Sequence, residues 1–389
     1  MRQAINPLES RFSIEQNVLP AEFVDRPNRF VVRCRLQGRL VRAFMPNPGR
    51  MHELLFPGSR LYITASPAVS GGSVRRTRYT ALAVERDGRP IFLQTHLANQ
   101  VVRSLVLRGE VPSLASAHVV SSEVTSGHSR FDFLLADRGG QSYLEVKSCT
   151  LFGNRVAMFP DAVTERGRKH LLELGAMQSE PAPTVLFLVH TPDVDWFMPD
   201  FHTDLAFSQT LLAMRHHVRI IALSIGWRGD LSLEPGVREL PIPWNYLERE
   251  VEDRGAYLLI LRLRRRRSVT VGKLGRFLFE PGFYVYIGSA MANLSARVAR
   301  HVRKRKQLHW HVDYLRQVAD EVVPLPVRAS RRLECLIATE FGTLLDLGPA
   351  GFGSSDCNCR THILFSRTNP LENRDFHQQL HQFRMAHPD

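Results

Sequence analysis

The sequence predicts a mixed α/β chain of several domains, and three observations lead to that class. Residues 13–93 form a series of short β-like runs broken by Gly, Pro and Asn. From Thr95 the apolar pattern takes a helical period and then returns to strand-like runs. A stretch rich in Gly and Pro over 226–254 then precedes a second unit that starts at Gly255. The expected parts are a small β-barrel (1–93), an α/β domain (94–247), a charged linker (248–254), a basic α/β domain (255–366) and a poorly ordered, polar, His-rich tail (367–389).

The barrel rests on runs such as Phe30-Val-Val-Arg-Cys-Arg-Leu, Arg39-Leu-Val-Arg-Ala-Phe, Arg60-Leu-Tyr-Ile-Thr-Ala and Tyr79-Thr-Ala-Leu-Ala-Val. After it, Leu97, Val101, Val102, Leu105 and Val106 recur at helical spacing. Three strands follow, His118–Thr125, Arg130–Ala136 and Ser142–Leu151, then a helix at about 161–178. The apolar runs beginning at Thr184 and Arg219 read as buried strands, with a helix at about 203–216 between them. The order αβββαβαβ describes a domain with a mixed sheet. In the second unit, Gly255-Ala-Tyr-Leu-Leu-Ile-Leu and Gly282-Phe-Tyr-Val-Tyr-Ile-Gly read as paired strands, followed by a helix from Asn293 to Lys306.

Ordinary composition, with 44% hydrophobic and 23% charged residues, excludes disordered and fibrous classes. No apolar run approaches the ~18 residues of a membrane span. Met1–Asn6 lacks the apolar core of a signal peptide, and five scattered cysteines do not suit a secreted disulfide scaffold. The expected location is cytoplasmic, with no membrane partner. The net charge of +13 is unevenly placed: residues 254–389 hold 22 Lys and Arg against 11 Asp and Glu. That asymmetry points to a polyanion partner for the last third, DNA or RNA. Only five basic residues are lysines, and Lys147 and Lys169 are the only two before residue 273. In a chain this rich in Arg, each marks a place where a compact ammonium is wanted rather than a planar fork.

Asp132 alternates with Phe131 and Phe133, so its side chain projects to one sheet face, while Glu145 and Lys147 share a face of the next strand. With a turn at 137–140 the three converge. Two hard oxygen ligands beside a cation suit phosphodiester hydrolysis with Mg²⁺ or Mn²⁺, in which Asp132 and Glu145 hold the ion and Lys147 orients the attacking water or steadies the phosphate. Arg166, Lys169 and His170 share one helix face as candidate phosphate contacts. In the basic unit, Arg297, Arg300 and Lys304 line a helix face. Cys357-x-Cys359-x-x-His362, with Cys335 remote, offers zinc ligands but lacks finger spacing, which favours a structural or redox role. His309, His311 and Asp313 suit either a metal or a local hydrogen-bond network.

The αβββαβ order with Asp132…Glu145-Val-Lys147 resembles the PD-(D/E)XK nucleases. More specifically, five stretches resemble the sugar fermentation stimulation protein A family: Met45-Pro-Asn-Pro-Gly-Arg-Met, Thr95-His-Leu-Ala-Asn, Glu123-Val-Thr-Ser-Gly-His-Ser-Arg-Phe-Asp-Phe-Leu-Leu, Glu145-Val-Lys-Ser-Cys-Thr-Leu and Phe159-Pro-Asp-Ala-Val-Thr-Glu-Arg-Gly-Arg-Lys-His-Leu. The resemblance implies an OB-like barrel and a nuclease-like domain that binds DNA and RNA. It implies Glu123 as a further metal-binding acid, and Arg50 and Arg130 join Arg166, Lys169, Arg300 and Lys304 as candidate nucleic-acid contacts. Pro48 stands where the family more often has Thr. Residues 255–366 resemble an uncharacterised offshoot of the GIY-YIG nucleases, through Gly255-Ala-Tyr257, Tyr286-Ile-Gly288, Arg297, His309-Trp-His-Val-Asp-Tyr-Leu, Glu334-Cys and Gly351-Phe-Gly-Ser-Ser-Asp-Cys-Asn-Cys-Arg-Thr-His. By that resemblance Tyr257 or Tyr286 acts as general base or water-positioning group, Arg297 contacts the phosphate and Glu334 holds a metal. The spacing between the tyrosine motifs is longer than in active members. The expected function is a metal-dependent DNA or RNA nuclease; the alternative is an inactive DNA-binding regulator of sugar metabolism genes.

Overall fold

The computed structural model describes residues 12, 17–66, 77–177 and 179–386. The chain divides into two units, one of residues up to 199 with 210–243, the other of 200–209 with 244 onward.

In the first unit, β1 (Val18–Asn28), β2 (Val31–Leu36), β3 (Arg39–Phe44), β4 (Arg60–Ala65), β5 (Tyr79–Arg86) and β6 (Arg89–Phe92) follow in the order β3-β2-β1-β4-β5-β6. The additional parallel pairing of β3 with β5 closes the first five strands into a barrel, as the β-rich N-terminal pattern predicts. Helix α1 (Thr95–Leu107) follows and buries Ala98, Val101, Val102, Leu105 and Val106.

Next come β7 (His118–Ser126), β8 (Ser129–Asp137), β9 (Gly140–Cys149), β10 (Leu151–Gly153), β11 (Val156–Phe159), α2 (Glu165–Gly175), β12 (Thr184–Val189), β13 (Trp196–Pro199), α3 (Leu205–Met214), β14 (Arg219–Ser224) and β15 (Arg238–Glu239). The main sheet runs β15-β14-β12-β9-β8-β7, parallel where β9, β12 and β14 meet and antiparallel elsewhere. This is the predicted mixed sheet. Helix α2 starts later than the sequence pattern suggested, because Thr164 accepts the Gly167 N–H and caps it there.

Two expectations fail in instructive ways. The Gly- and Pro-rich stretch from 226 is not a connector: Trp227, Leu231 and Leu233 are buried in a core shared with Tyr62 and Phe92 of the barrel, Leu105 of α1 and Leu144 of β9. Apolar burial at those three positions outweighs the turn-forming composition. Within the expected linker 248–254, helix α4 (Trp244–Glu250) runs on and Glu250 is buried against Ser330.

The second unit continues with β16 (Gly255–Leu263), β17 (Arg267–Val271), β18 (Gly275–Phe279), β19 (Gly282–Ala290), α5 (Leu294–Val302), α6 (His311–Val318), β20 (Glu321–Arg328), α7 (Glu334–Phe341), β21 (Asp346–Leu347), β22 (Ile363–Ser366) and α8 (Arg374–Arg384). Its sheet, β20-β16-β19-β22-β21, is antiparallel throughout. The long spacing between the tyrosine motifs is accounted for by β17 and β18, which among the described residues pair with each other and leave β16 and β19 in full register. The tail expected to be poorly ordered folds instead: α8 buries Phe376 and Leu380 against Phe341, and His377 and His381 are buried on the same helix, because these residues repeat at helical spacing while Gln378 and Gln382 stay exposed. Helix α5 ends at Val302, with Arg303 extended, so Lys304 is not on the helix as predicted.

Candidate active site

On the first unit's sheet, the β8–β9 ladder ends at the pair Phe133–Leu144. There the Asp132 carboxylate takes up the Val146 N–H at 2.7 Å, and its other oxygen accepts from Asn99 of α1 at 2.6 Å. Glu145 sits on β9 between β8 and β12, only 4% exposed. Its Oε1 accepts from Lys147 Nζ at 2.5 Å and pairs with His170 Nδ1 at 2.6 Å. Its Oε2 is buried with no hydrogen-bond partner among the described residues. Leu144 and Val146 face the opposite side of the strand and pack the core.

Asp132, Glu145 and Lys147 share a cavity of about 470 Å³ with Asn99, Asp161 and Arg166. The barrel supplies Arg29 and the loop Asn47-Pro48-Gly49 to its wall. That loop is fixed from within by Arg26, which donates to the carbonyls of Asn47, Gly49 and Arg50. Gly49 presses on Asp161 so closely that a Cβ would lie 2.2 Å from its carboxylate oxygen, so a larger residue there would have to displace the Asp161 carboxylate. Asp161 in turn accepts the Met51 N–H.

Electrostatics separate the two acids. Burial pushes the Asp132 carboxyl up, and the neighbouring Glu145 charge adds to it. Burial works in the same direction on Glu145, but the hydrogen bonds and charges of His170 and Lys147 outweigh it and hold Glu145 below the ordinary carboxylate range.

The sequence-predicted residues divide clearly. Asp132, Glu145, Lys147 and Arg166 reach the cavity. His170 does not present itself to phosphate but lies buried beneath Glu145, with Arg166 Nε 3.4 Å from its Nε2. Lys169 is exposed and pairs with Glu173 one turn on. Glu123 lies on the edge strand β7, two-thirds exposed and facing Arg130 at 3.4 Å; neither lines the cavity, so the structure does not place Glu123 as a metal ligand. Arg50 is exposed beside the 47–49 loop, its carbonyl held by Arg26. Sequence reading passed over Asn99, Asp161 and Arg26; Asn99 and Asp161 were visible within the family-like stretches, but their contacts span distant parts of the chain.

The second unit brings its predicted residues together as well. Tyr257, Tyr286, Arg297 and Glu334 line a cavity of about 280 Å³ with His309, His311 and Asp356. Tyr257 pairs in register with Gly288, where a Cβ would meet the tyrosine oxygen at 2.5 Å. The Tyr257 hydroxyl reaches His301 Nε2 at 3.0 Å, and His301 Nδ1 reaches Asp313 at 3.2 Å. Asp313 also binds Lys306, Arg300 and the N–H groups of His309 and Trp310. Asp313 is therefore the centre of a satisfied network rather than a metal ligand, and those bonds outweigh burial to hold its carboxyl far below the usual range. Burial raises both tyrosines well above the usual phenol value, and burial with the nearby Asp356 raises Glu334. Arg297 and Arg300 each lie 4.3 Å from the Trp310 ring centre. Arg300 is thus committed to Asp313 and Trp310, while Lys304 is exposed beyond the helix with a 3.3 Å contact to the Ala319 carbonyl.

Comparison with known proteins agrees with this division. Residues 24–93 match the SfsA N-terminal OB domain, 96–230 the sugar fermentation stimulation protein RE domain, and 256–385 a domain of unknown function, DUF123. A sugar fermentation stimulation protein homolog of Clostridium tetani is 36% identical over 202 residues, 51% of this chain and 86% of its own length. One from Desulforamulus reducens is 38% identical over 235 residues, 59% of this chain and 95% of that protein. Among solved structures, Pyrococcus furiosus SfsA in complex with Ca²⁺ aligns with a TM-score of 0.53 and 27% identity, covering 59% of this chain and 97% of that one. With an OB barrel leading into a sheet that carries Asp132, Glu145 and Lys147, and with relatives covered almost end to end, the chain belongs to the sugar fermentation stimulation protein family.

Proposed function

We propose that this protein is a metal-dependent nuclease that hydrolyses phosphodiester bonds of DNA or RNA in the cavity of Asp132, Glu145 and Lys147. The observation that carries the reading is Glu145 Oε2, buried without a hydrogen bond in the same cavity as a second carboxylate. A buried carboxylate oxygen left unpaired is costly, and a divalent cation is the partner that removes the cost. Two carboxylates with room for water suit Mg²⁺ or Mn²⁺, and the Ca²⁺ in the Pyrococcus relative is a hard cation of the same oxygen-seeking kind. When bound, such an ion lowers the pKa of a water and shares the charge that develops on phosphate.

The chain's own residues do the rest. Asn99 and the Val146 N–H fix the Asp132 carboxylate, and His170 fixes Glu145. Lys147, held on Glu145, presents its ammonium to the attacked phosphate. Arg166 and the exposed Arg29 stand at the wall for flanking phosphates. OB barrels bind oligonucleotides as a class, and the basic second unit adds affinity.

In the second unit, Arg297 lies in a cavity with Tyr257, Tyr286 and Glu334, which suits one further phosphate of the same nucleic acid. We read this unit as a clamp. Arg297→Ala in the full chain should weaken binding and reduce the salt slope by about 1.

The test is direct. Purified protein is incubated with single- and double-stranded DNA and RNA in Mg²⁺, Mn²⁺ or chelator. Products that require metal support the nuclease. Tight binding without products under every condition would favour the DNA-binding regulator, and cleavage surviving in an Asp132→Asn, Glu145→Gln double variant would move catalysis to the second unit.

A further inference from the structure

Four soft donor atoms converge in the second unit, and the proposed chemistry uses none of them. Cys335 lies in the first turn of α7, directly after Glu334. Cys357, Cys359 and His362 come from the segment before β22. The three Sγ atoms and a ring nitrogen of His362 all lie within 4.8 Å of one another, and Cys357 Sγ is 3.4 Å from His362 Nε2. The three cysteines are half-buried and His362 is buried.

We propose that Cys335, Cys357, Cys359 and His362 bind one structural zinc ion. The donor set is three thiols and an imidazole, which favours zinc over the hard cations proposed for the first unit. The dimensions fit as well. With metal–sulfur bonds of ~2.3 Å and a metal–nitrogen bond of ~2.0–2.1 Å, a tetrahedron has sulfur–sulfur edges of about 3.8 Å and sulfur–nitrogen edges of about 3.6 Å. Cys357 Sγ and His362 Nε2 already stand 3.4 Å apart, and all four donors lie within 4.8 Å of one another, so small side-chain shifts close the tetrahedron. Four protein ligands leave no open position, so the ion is structural rather than catalytic.

The backbone prepares the site without metal. The His362 N–H donates to the Phe352 carbonyl, and its own carbonyl accepts the Ile287 N–H next to Tyr286, both at 2.8 Å. The Gly351 N–H donates to Arg360 at 2.8 Å, closing the segment on itself. Zinc would then tie this segment, which carries Gly353, Ser355 and Asp356 to the cavity wall, to the helix turn that carries Glu334. The ion thereby fixes the acidic side of the Tyr286–Arg297 cavity. The sequence spacing hides this because Cys335 is far from the other three and Cys-x-Cys-x-x-His is not finger spacing.

The experiment uses the full chain, purified with reductant and zinc and then dialysed. The proposal expects one zinc per chain by elemental analysis, released by a thiol-modifying mercurial. Cobalt in its place should give the visible bands of a tetrahedral ion and a thiolate-to-metal charge-transfer band. A Cys357→Ser, Cys359→Ser variant should lose the zinc and unfold its second unit at lower temperature, with cleavage by the first unit as an independent readout. Sub-stoichiometric zinc with the thiols freely reactive would overturn the proposal. So would a disulfide among the three cysteines in freshly purified protein, or the absence of any thiolate-to-cobalt charge-transfer band on the wild-type chain, which does not depend on any variant folding.

Discussion

Replacing Lys147 by Met separates two roles that the first unit's cavity assigns to one ammonium. In the native chain Lys147 Nζ contacts Glu145 Oε1 at 2.5 Å, with the lysine side chain 16% and the glutamate side chain 5% exposed. Removing one partner of a buried pair costs about 3–5 kcal/mol. Here His170 still holds the same oxygen, so the low end, about 3 kcal/mol, is expected. For a unit of this size that corresponds to a fall in Tm of roughly 6–12 °C in the absence of divalent ions. The variant leaves Asp132 and Glu145 with less positive charge beside them, so a divalent cation should bind at least as well as before. Mn²⁺ at about 100 times its Kd should then restore roughly 2.7 kcal/mol. Cleavage should nevertheless stay at least about 10²-fold below wild type, because a cation aimed at the phosphate is gone. The assay is calorimetry with and without Mn²⁺, beside single-turnover cleavage. An unchanged Tm together with wild-type cleavage would refute the assigned pairing, and loss of the Mn²⁺ shift would show that Lys147 supports the fold and not the charge balance.

Two further outcomes follow from other parts of the molecule. His190 is buried, with Trp227 Nε1 donating to its Nδ1 and Ser148 at its Nε2, and burial lowers its pKa to about 3. Its unfolded value is about 6.5, so the unfolded chain takes up the proton first and stability is lost as pH falls from about 6.5 toward 3. Denaturant titrations should show about 2 kcal/mol less stability of the first unit at pH 5 than at pH 7 from this residue, and a His190→Gln variant should show a correspondingly shallower slope; equal slopes would remove His190 as the source. Gly288→Ala should destabilise the second unit by about 1–3 kcal/mol, since the new methyl must displace Tyr257 from His301. A thermal transition unmoved by that substitution would contradict the close packing of the two strands.

Much of this architecture was legible in the chain, for physical reasons specific to each part. The alternation around Asp132 and Glu145, with a turn between, sets register, and register brings the two acids and Lys147 to one end of the β8–β9 ladder, where Asn99 and the Val146 N–H fix Asp132. Tyr257 and Tyr286 lie on adjacent strands, and their facing positions follow from the same period of two. What escaped were contacts that depend on distant chain segments. Composition marked 226–254 as a connector, yet Trp227, Leu231 and Leu233 complete the shared core. The polarity of the last residues concealed Phe376 and Leu380. Arg300 and His170 look like surface groups on a helix, but each is committed to a buried acid, Asp313 and Glu145 respectively. Glu123 sits within a recognisable stretch, but edge-strand exposure takes it away from the cavity.

The central claim is that Asp132 and Glu145 together perform metal-dependent cleavage. The most direct measurement compares wild type with Asp132→Asn and Glu145→Gln, each assayed for cleavage in Mn²⁺ and for affinity to the same nucleic acid in chelator. The account predicts that both variants lose cleavage while affinity stays within about threefold, since binding comes mainly from phosphate contacts elsewhere. Wild-type cleavage in Glu145→Gln would contradict it.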